Sequence, residues 1–256
     1  MSDVTLNRQG KPAEGPRIAR ERIEKRWFIT LVGPLIGTVF AASLAPVKPV
    51  EAILAALSFF VMAAGMVKLL PPLRPWWSIR AEFARGFRWL GLGAVRTRDR
   101  QMPVRMQLVW IVLIPIGLAL LHILVAQQIS AAFPVVDPAE HAAHQERRAE
   151  ATTLGLYGAL ATAFLGAALT EEICFRSLPL IVQRWRPNAT VLITFTAVTS
   201  TAVFAIAHSE FGTANVVSTL ISGAVYASLA LYTRSLWPSI MTHGIYNAII
   251  MVGWVT

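Results

Sequence analysis

An all-α, polytopic membrane protein with about seven transmembrane helices is the fold this sequence predicts, on three observations. Hydrophobic residues fill 55% of the 256 positions and charged residues only 14%, at a mean hydropathy of +0.56; a soluble domain of this size would need far more charge to cover its surface. Apolar runs recur at the roughly 20-residue length that a helix needs to cross a hydrocarbon core. Arg and Lys gather in every second connection between those runs, the positive-inside pattern. A net charge of +9 would suit a nucleic-acid partner only if the basic residues shared a folded soluble face with base-reading groups. They lie between apolar spans instead, so the lipid bilayer with its anionic headgroups is the expected partner, and nucleic acid is not.

Residues 1–26 read as a polar, basic cytoplasmic tail. No apolar segment precedes residue 27, so the first span is expected to be an uncleaved anchor rather than a signal peptide. Spans are expected at 27–47, 50–70, 106–131, 153–180, 190–209, 213–233 and 237–256. Pro46 and Pro49, Pro71-Pro72, Pro134 and Pro138, Pro187-Asn188, Gly212 and Pro238 punctuate them. The basic connection 71–105 carries Arg74, Arg80, Arg85, Arg88, Arg96, Arg98, Arg100 and Arg105, and its stretch 76–93 reads as an amphipathic helix anchored on the cytoplasmic leaflet. Arg184 with Arg186, and Arg234, continue the basic side; Lys48 with Glu51, the stretch from Asp137 to Glu150, and Glu210 mark the other side. The orientation expected is N-terminus cytoplasmic and C-terminus outside. An Ala- and Arg-rich composition points to a bacterial inner membrane. His141, His144 and Glu146 lack the HExxH pattern of a metal site and read as a solvated outer loop. Cys174, the single cysteine, excludes an intramolecular disulfide. The organisation is thus a tail (1–26), accessory helices with the basic connection (27–152) and a four-helix polar core (153–256).

Three polar clusters interrupt the apolar spans of that core: Glu171-Glu172 with Arg176, Phe204 with His208, and His243 with Asn247. Ionisable groups in hydrocarbon cost several kcal/mol each unless paired or hydrated, so their retention points to function. Residues four apart share a helix face. Glu172 can therefore pair with Arg176 while Glu171, about 100° round the helix, is free to face a cavity. The Phe204 ring lies on the face of His208, and the Asn247 amide on that of His243. One carboxylate, two imidazoles and an amide can activate water and donate hydrogen bonds to an oxyanion, a plausible hydrolytic set.

The ordered trio EExxxR, FxxxH and HxxxN on three separate spans resembles the CPBP family, the CAAX proteases and bacteriocin-processing enzymes, also called Abi proteins. The resemblance covers 153–256. It implies an intramembrane endopeptidase in which Glu171 activates the attacking water with help from His208, His243 and Asn247 stabilise the oxyanion, and Glu172 with Arg176 supports the helix. The substrate implied is a membrane-associated protein or peptide. Zinc, with Glu171, His208 and His243 as ligands, is the other mechanism such proteins suggest. A metal-free glutamate mechanism is preferred because the core spans hold only two His and no carboxylate is evident behind each. A non-catalytic scaffold that keeps the fold is the alternative function; a transporter would call for two related halves, and no repeat is visible.

Depth raises a difficulty. His243 lies six residues from the cytoplasmic end of its span and His208 near the outer end of its own, so straight helices rising about 1.5 Å per residue would hold them roughly 20 Å apart. A helix must be broken, short or tilted for one site to form, and Thr233 to Pro238 is a candidate re-entrant turn.

Overall fold

The computed structural model describes residues 86–97, 100–135 and 137–255. The tail, the spans expected at 27–47 and 50–70, and the first part of the basic connection lie outside these residues. The chain runs through a small hairpin, β1 (Arg96–Thr97) and β2 (Arg100–Gln101), into α1 (Val104–Leu108), a π-helical segment (Val109–Leu113) and α2 (Ile114–Ala132). Then come α3 (Pro138–Ala161), a second π-helical segment (Thr162–Leu169) and α4 (Thr170–Trp185), followed by α5 (Thr190–Ile206), a 3-10 turn (Ser209–Phe211), α6 (Thr213–Thr233) and α7 (Trp237–Val255).

Five of the expected spans fall on these helices, with boundaries moved by a few residues. Val104–Ala132, Ala151–Trp185 and Thr213–Thr233 are long and apolar enough to cross a membrane. Thr190–Ile206 is apolar but shorter. Solvent exposure is inverted relative to a soluble bundle: Leu124 is 59% exposed, Phe195 65% and Val191 85%, whereas Ser177, Ser218, Ser222, Thr233, Ser235, Ser239 and Thr242 are buried. Apolar side chains facing outward need lipid around them, and small hydroxyl residues between helices allow close approach and hydrogen bonding there. α7 lies centrally, touching α2, α3, the second π segment and α6, while α5 packs between α4 and α6.

Two expectations require correction. The stretch 76–93 does not continue as one leaflet helix through its described part: helix persists over 86–89 and stops at Gly91, whose φ of 93° only glycine adopts readily. A Cβ there would also strike Leu180 and Leu236. Trp89 and Val95 are buried against the bundle rather than laid on its surface, and a hairpin follows. The outer stretch from Asp137 is not a loop but α3. The Asp137 side chain accepts from the Ala139 amide at 2.8 Å to cap it, and Pro138 supplies the first turn. Gly155, at φ 64°, kinks this helix where its polar part gives way to the span.

The α6–α7 turn lies inside the protein. Arg234 takes a left-handed conformation, and Thr233, Ser235 and Leu236 are fully buried. Their polar groups are satisfied from a distant segment: the Leu236 amide donates to the Gly91 carbonyl at 2.8 Å and the Ser235 hydroxyl to the Gly93 carbonyl at 2.8 Å. Ser177 on α4 reaches the Leu90 carbonyl at 2.8 Å. The irregularity expected between Thr233 and Pro238 is thus a turn buried in protein.

Candidate active site

Glu171 and Glu172 follow the second π segment, and the change of helical pitch there sets which faces they present. Glu172 is fully buried. Its Oε2 lies 3.6 Å from Arg176 Nε and its Oε1 3.1 Å from His243 Nδ1. The Arg176 guanidinium stacks over the Phe204 ring, 4.0 Å from its centroid. Gly223 on α6 leaves it room, since a Cβ there would come within 2.9 Å of Arg176 Nη2. Gly244 does the same on α7, where a Cβ would run into the Phe164 ring of the π segment. That close approach brings His243 to Glu172.

Glu171 is 28% exposed and faces the other way. Its Oε2 lies 3.9 Å from His208 Nε2 and 3.8 Å from His243 Nε2, and it has no hydrogen-bond partner among the described residues. The 20 Å separation that straight, full-length helices would impose is therefore absent. α5 is short, so His208 sits one turn beyond Phe204, at the level of Glu171; the buried α6–α7 turn sets His243 at the same level.

Tautomers follow from partners. His208 Nδ1 lies 2.8 Å from the Phe204 carbonyl, which can only accept, and His243 Nδ1 faces the Glu172 carboxylate. Both Nδ1 atoms then carry the proton and both Nε2 atoms present lone pairs. Three acceptors, Glu171 Oε2 and two Nε2, converge at distances too long for direct hydrogen bonds. Such a gap suits a donor of protons, as water is.

The gap opens into a cavity of about 290 Å³ lined by Glu171, Phe204, His208, His243 and Asn247. It extends to Phe133 and Val135, which are exposed, so the cavity has a mouth between α2 and α3. All seven residues singled out in the sequence thus lie in one neighbourhood: Glu171, His208, His243 and Asn247 on the cavity, with Phe204 closing its floor and Glu172 and Arg176 behind.

The sequence reading missed several wall residues. His122 on α2 lines the cavity, with Nδ1 3.2 Å from the Tyr226 hydroxyl, Nε2 3.2 Å from Ser218 Oγ, and its ring stacked on Tyr246 at 3.8 Å. Tyr226 in turn stacks on His243. A lone imidazole in a long apolar span was the available signal, together with the four-residue spacing of Ser218, Ser222 and Tyr226 along one face of α6. His144 and Arg147, assigned to a solvated loop, also line the cavity; His144 Nε2 is 3.2 Å from the Phe211 carbonyl.

Residues 153–249 match the type II CAAX prenyl endopeptidase Rce1-like family. The match covers the segment carrying the three motifs and agrees with their CPBP resemblance. No curated protein and no solved structure matches the chain. An Rce1-like segment with apolar, membrane-length helices makes this a membrane protein and supports protease activity. His122 and Arg147 lie outside the Rce1-like segment yet line its cavity. Behind the two core-span imidazoles, His243 has the Glu172 carboxylate and His208 the Phe204 carbonyl, and a third imidazole, His122 of α2, also lines the cavity. Among the described residues, however, no group of three or more His, Cys, Asp or Glu is disposed to hold a metal ion.

Proposed function

We propose that this chain is an intramembrane endopeptidase in which Glu171 is the general base for a metal-free attack of water on a peptide bond. The observation that carries this reading is the convergence of Glu171 Oε2 and two imidazole Nε2 atoms at the wall of an open cavity. A water seated there hydrogen-bonds through one O–H to Glu171 and through the other to an imidazole Nε2, which turns an oxygen lone pair toward a carbonyl in the cavity. Glu171 takes the proton as the new C–O bond forms and delivers it to the amine as the C–N bond breaks. Asn247 donates to the oxyanion. His243 joins it after taking the second proton of the attacking water from the new C–OH group, a proton released to solvent as the carboxylate product leaves, and Glu172 at Nδ1 stabilises the imidazolium.

The cavity mouth, near Ala214 at the start of α6, lies at the opposite end from Arg234 at its close. Arg184 donates to the Arg234 carbonyl at 2.9 Å, and Arg88 and Arg96 lie close enough to Arg184 to repel it. Taking this arginine-rich end as cytoplasmic, the mouth faces outward. Peptides presented from outside suit it better than prenylated C-termini held at the cytoplasmic leaflet.

The test uses the purified full-length protein in lipid nanodiscs and a library of internally quenched hydrophobic peptides. The wild type is expected to cleave members of the library, and Glu171→Gln to lose cleavage by at least about 100-fold, within the range for removing a general base, while inserting normally. Retained cleavage in E171Q would reject the proposed base. Cleavage is also expected to survive 1,10-phenanthroline; its loss, restored by added zinc, would return the mechanism to the metal.

A further inference from the structure

We propose that Arg147 forms a carboxylate-binding subsite at the mouth of the cavity and selects peptides presenting a carboxylate there; this rests on the endopeptidase reading. Among the described residues lining the cavity, Arg147 is the one permanent cation and Glu171 the one carboxylate. The Arg147 guanidinium lies over the Phe211 ring at 5.1 Å from its centroid. Stacking on a ring fixes the guanidinium plane and leaves its N–H edge free, the arrangement that recognises a carboxylate through two parallel hydrogen bonds.

Among the described side chains, no acid pairs with it within 4.0 Å. Glu140 is turned against Gly212, where its carboxylate occupies the space a Cβ would need. Glu146 and Glu210 make no ion pair with Arg147 within 4.0 Å among the described residues. A half-buried cation without a counter-ion among the described residues is suited to an anion brought by the ligand. The wall between is apolar at Ala126, Phe133, Ala214 and Ile250, which fits hydrophobic side chains between the anchored carboxylate and the bond near Glu171. A lone cation also disfavours substrates with a basic residue at that point.

The experiment separates binding from cleavage. Full-length E171Q protein in phosphatidylcholine nanodiscs is titrated with a fluorescent hydrophobic pentapeptide in three forms: free C-terminal acid, C-terminal amide, and amide with Asp as the last residue. The acid is expected to bind about tenfold tighter than the neutral amide, the scale of one charge-assisted contact, and E171Q/R147Q to bind both alike. If the Asp amide matches the acid, the subsite reads any carboxylate; if it matches the neutral amide, the subsite reads the chain terminus. Equal binding of acid and neutral amide to E171Q, or no binding of any form, overturns the proposal. Wild-type cleavage of library peptides with no acid preference would sink the subsite and leave the endopeptidase standing.

Discussion

Glu171 and Glu172 are adjacent and chemically identical, yet the helix sends them to different environments. One meets a cavity and the other a guanidinium and an imidazole. Helical geometry made that division legible in the sequence, because only Glu172 is four residues from Arg176. The Glu172 to His243 bond was not legible, since it spans 71 positions and depends on how closely α7 approaches the π segment. Removing the carboxylate strands a fully buried cation. Glu172→Ala is therefore expected to cost about 3–5 kcal/mol, the scale for breaking a buried pair, read as a lower unfolding midpoint in detergent. Glu172→Gln combined with Arg176→Met should be more stable than Glu172→Gln alone, which a double-mutant cycle would show.

Helix identity was the most readable level: 213–233 was placed to the residue, and 106–131, 153–180, 190–209 and 237–256 were each displaced by a few residues. Long apolar runs between Pro and Gly report themselves. What stayed hidden was vertical placement. A span template assigns every helix the same thickness, whereas α5 stops at Ile206 and the chain folds back through Ser209–Phe211, so His208 ends at the level of Glu171. The end of the amphipathic stretch was misplaced: Trp89 and Leu90 fit the pattern, but Gly91 ends it and turns the chain onto the bundle end. Gly91→Ala should cost about 1–3 kcal/mol for the strained φ alone, with the collision against Leu180 and Leu236 added. A fall in thermal midpoint in nanodiscs, larger than that of Gly117→Ala, where a Cβ meets nothing, is the expected result.

Within the described residues, Arg88, Arg96, Arg184 and Arg234 gather at one end, and the cavity mouth, with Arg147, lies at the other. This polarity is testable in cells. In a Cys174→Ser background, Arg148→Cys near the mouth and Arg186→Cys near the basic end both place a thiol at an exposed position. A membrane-impermeant maleimide should label position 148 in intact bacterial cells, and position 186 only after permeabilisation. The reverse pattern would place the mouth in the cytoplasm and bring lipid-modified cytoplasmic C-termini back as substrates. The Rce1-like segment does not by itself build the cavity, because α2 and α3 supply His122, His144 and Arg147. Relatives sharing the motifs but differing in those helices would share the chemistry and differ in what they admit.

The hydrogen bonds from Leu236 to Gly91 and from Ser235 to Gly93 also carry a message about biogenesis. By the time the α6–α7 hairpin leaves the ribosome, the segment that caps it has long been synthesised. Closure of the hairpin is therefore a templated event: the turn docks onto a receptor made well over a hundred residues earlier in the chain, and α7, which carries His243, leads straight out of that docked turn.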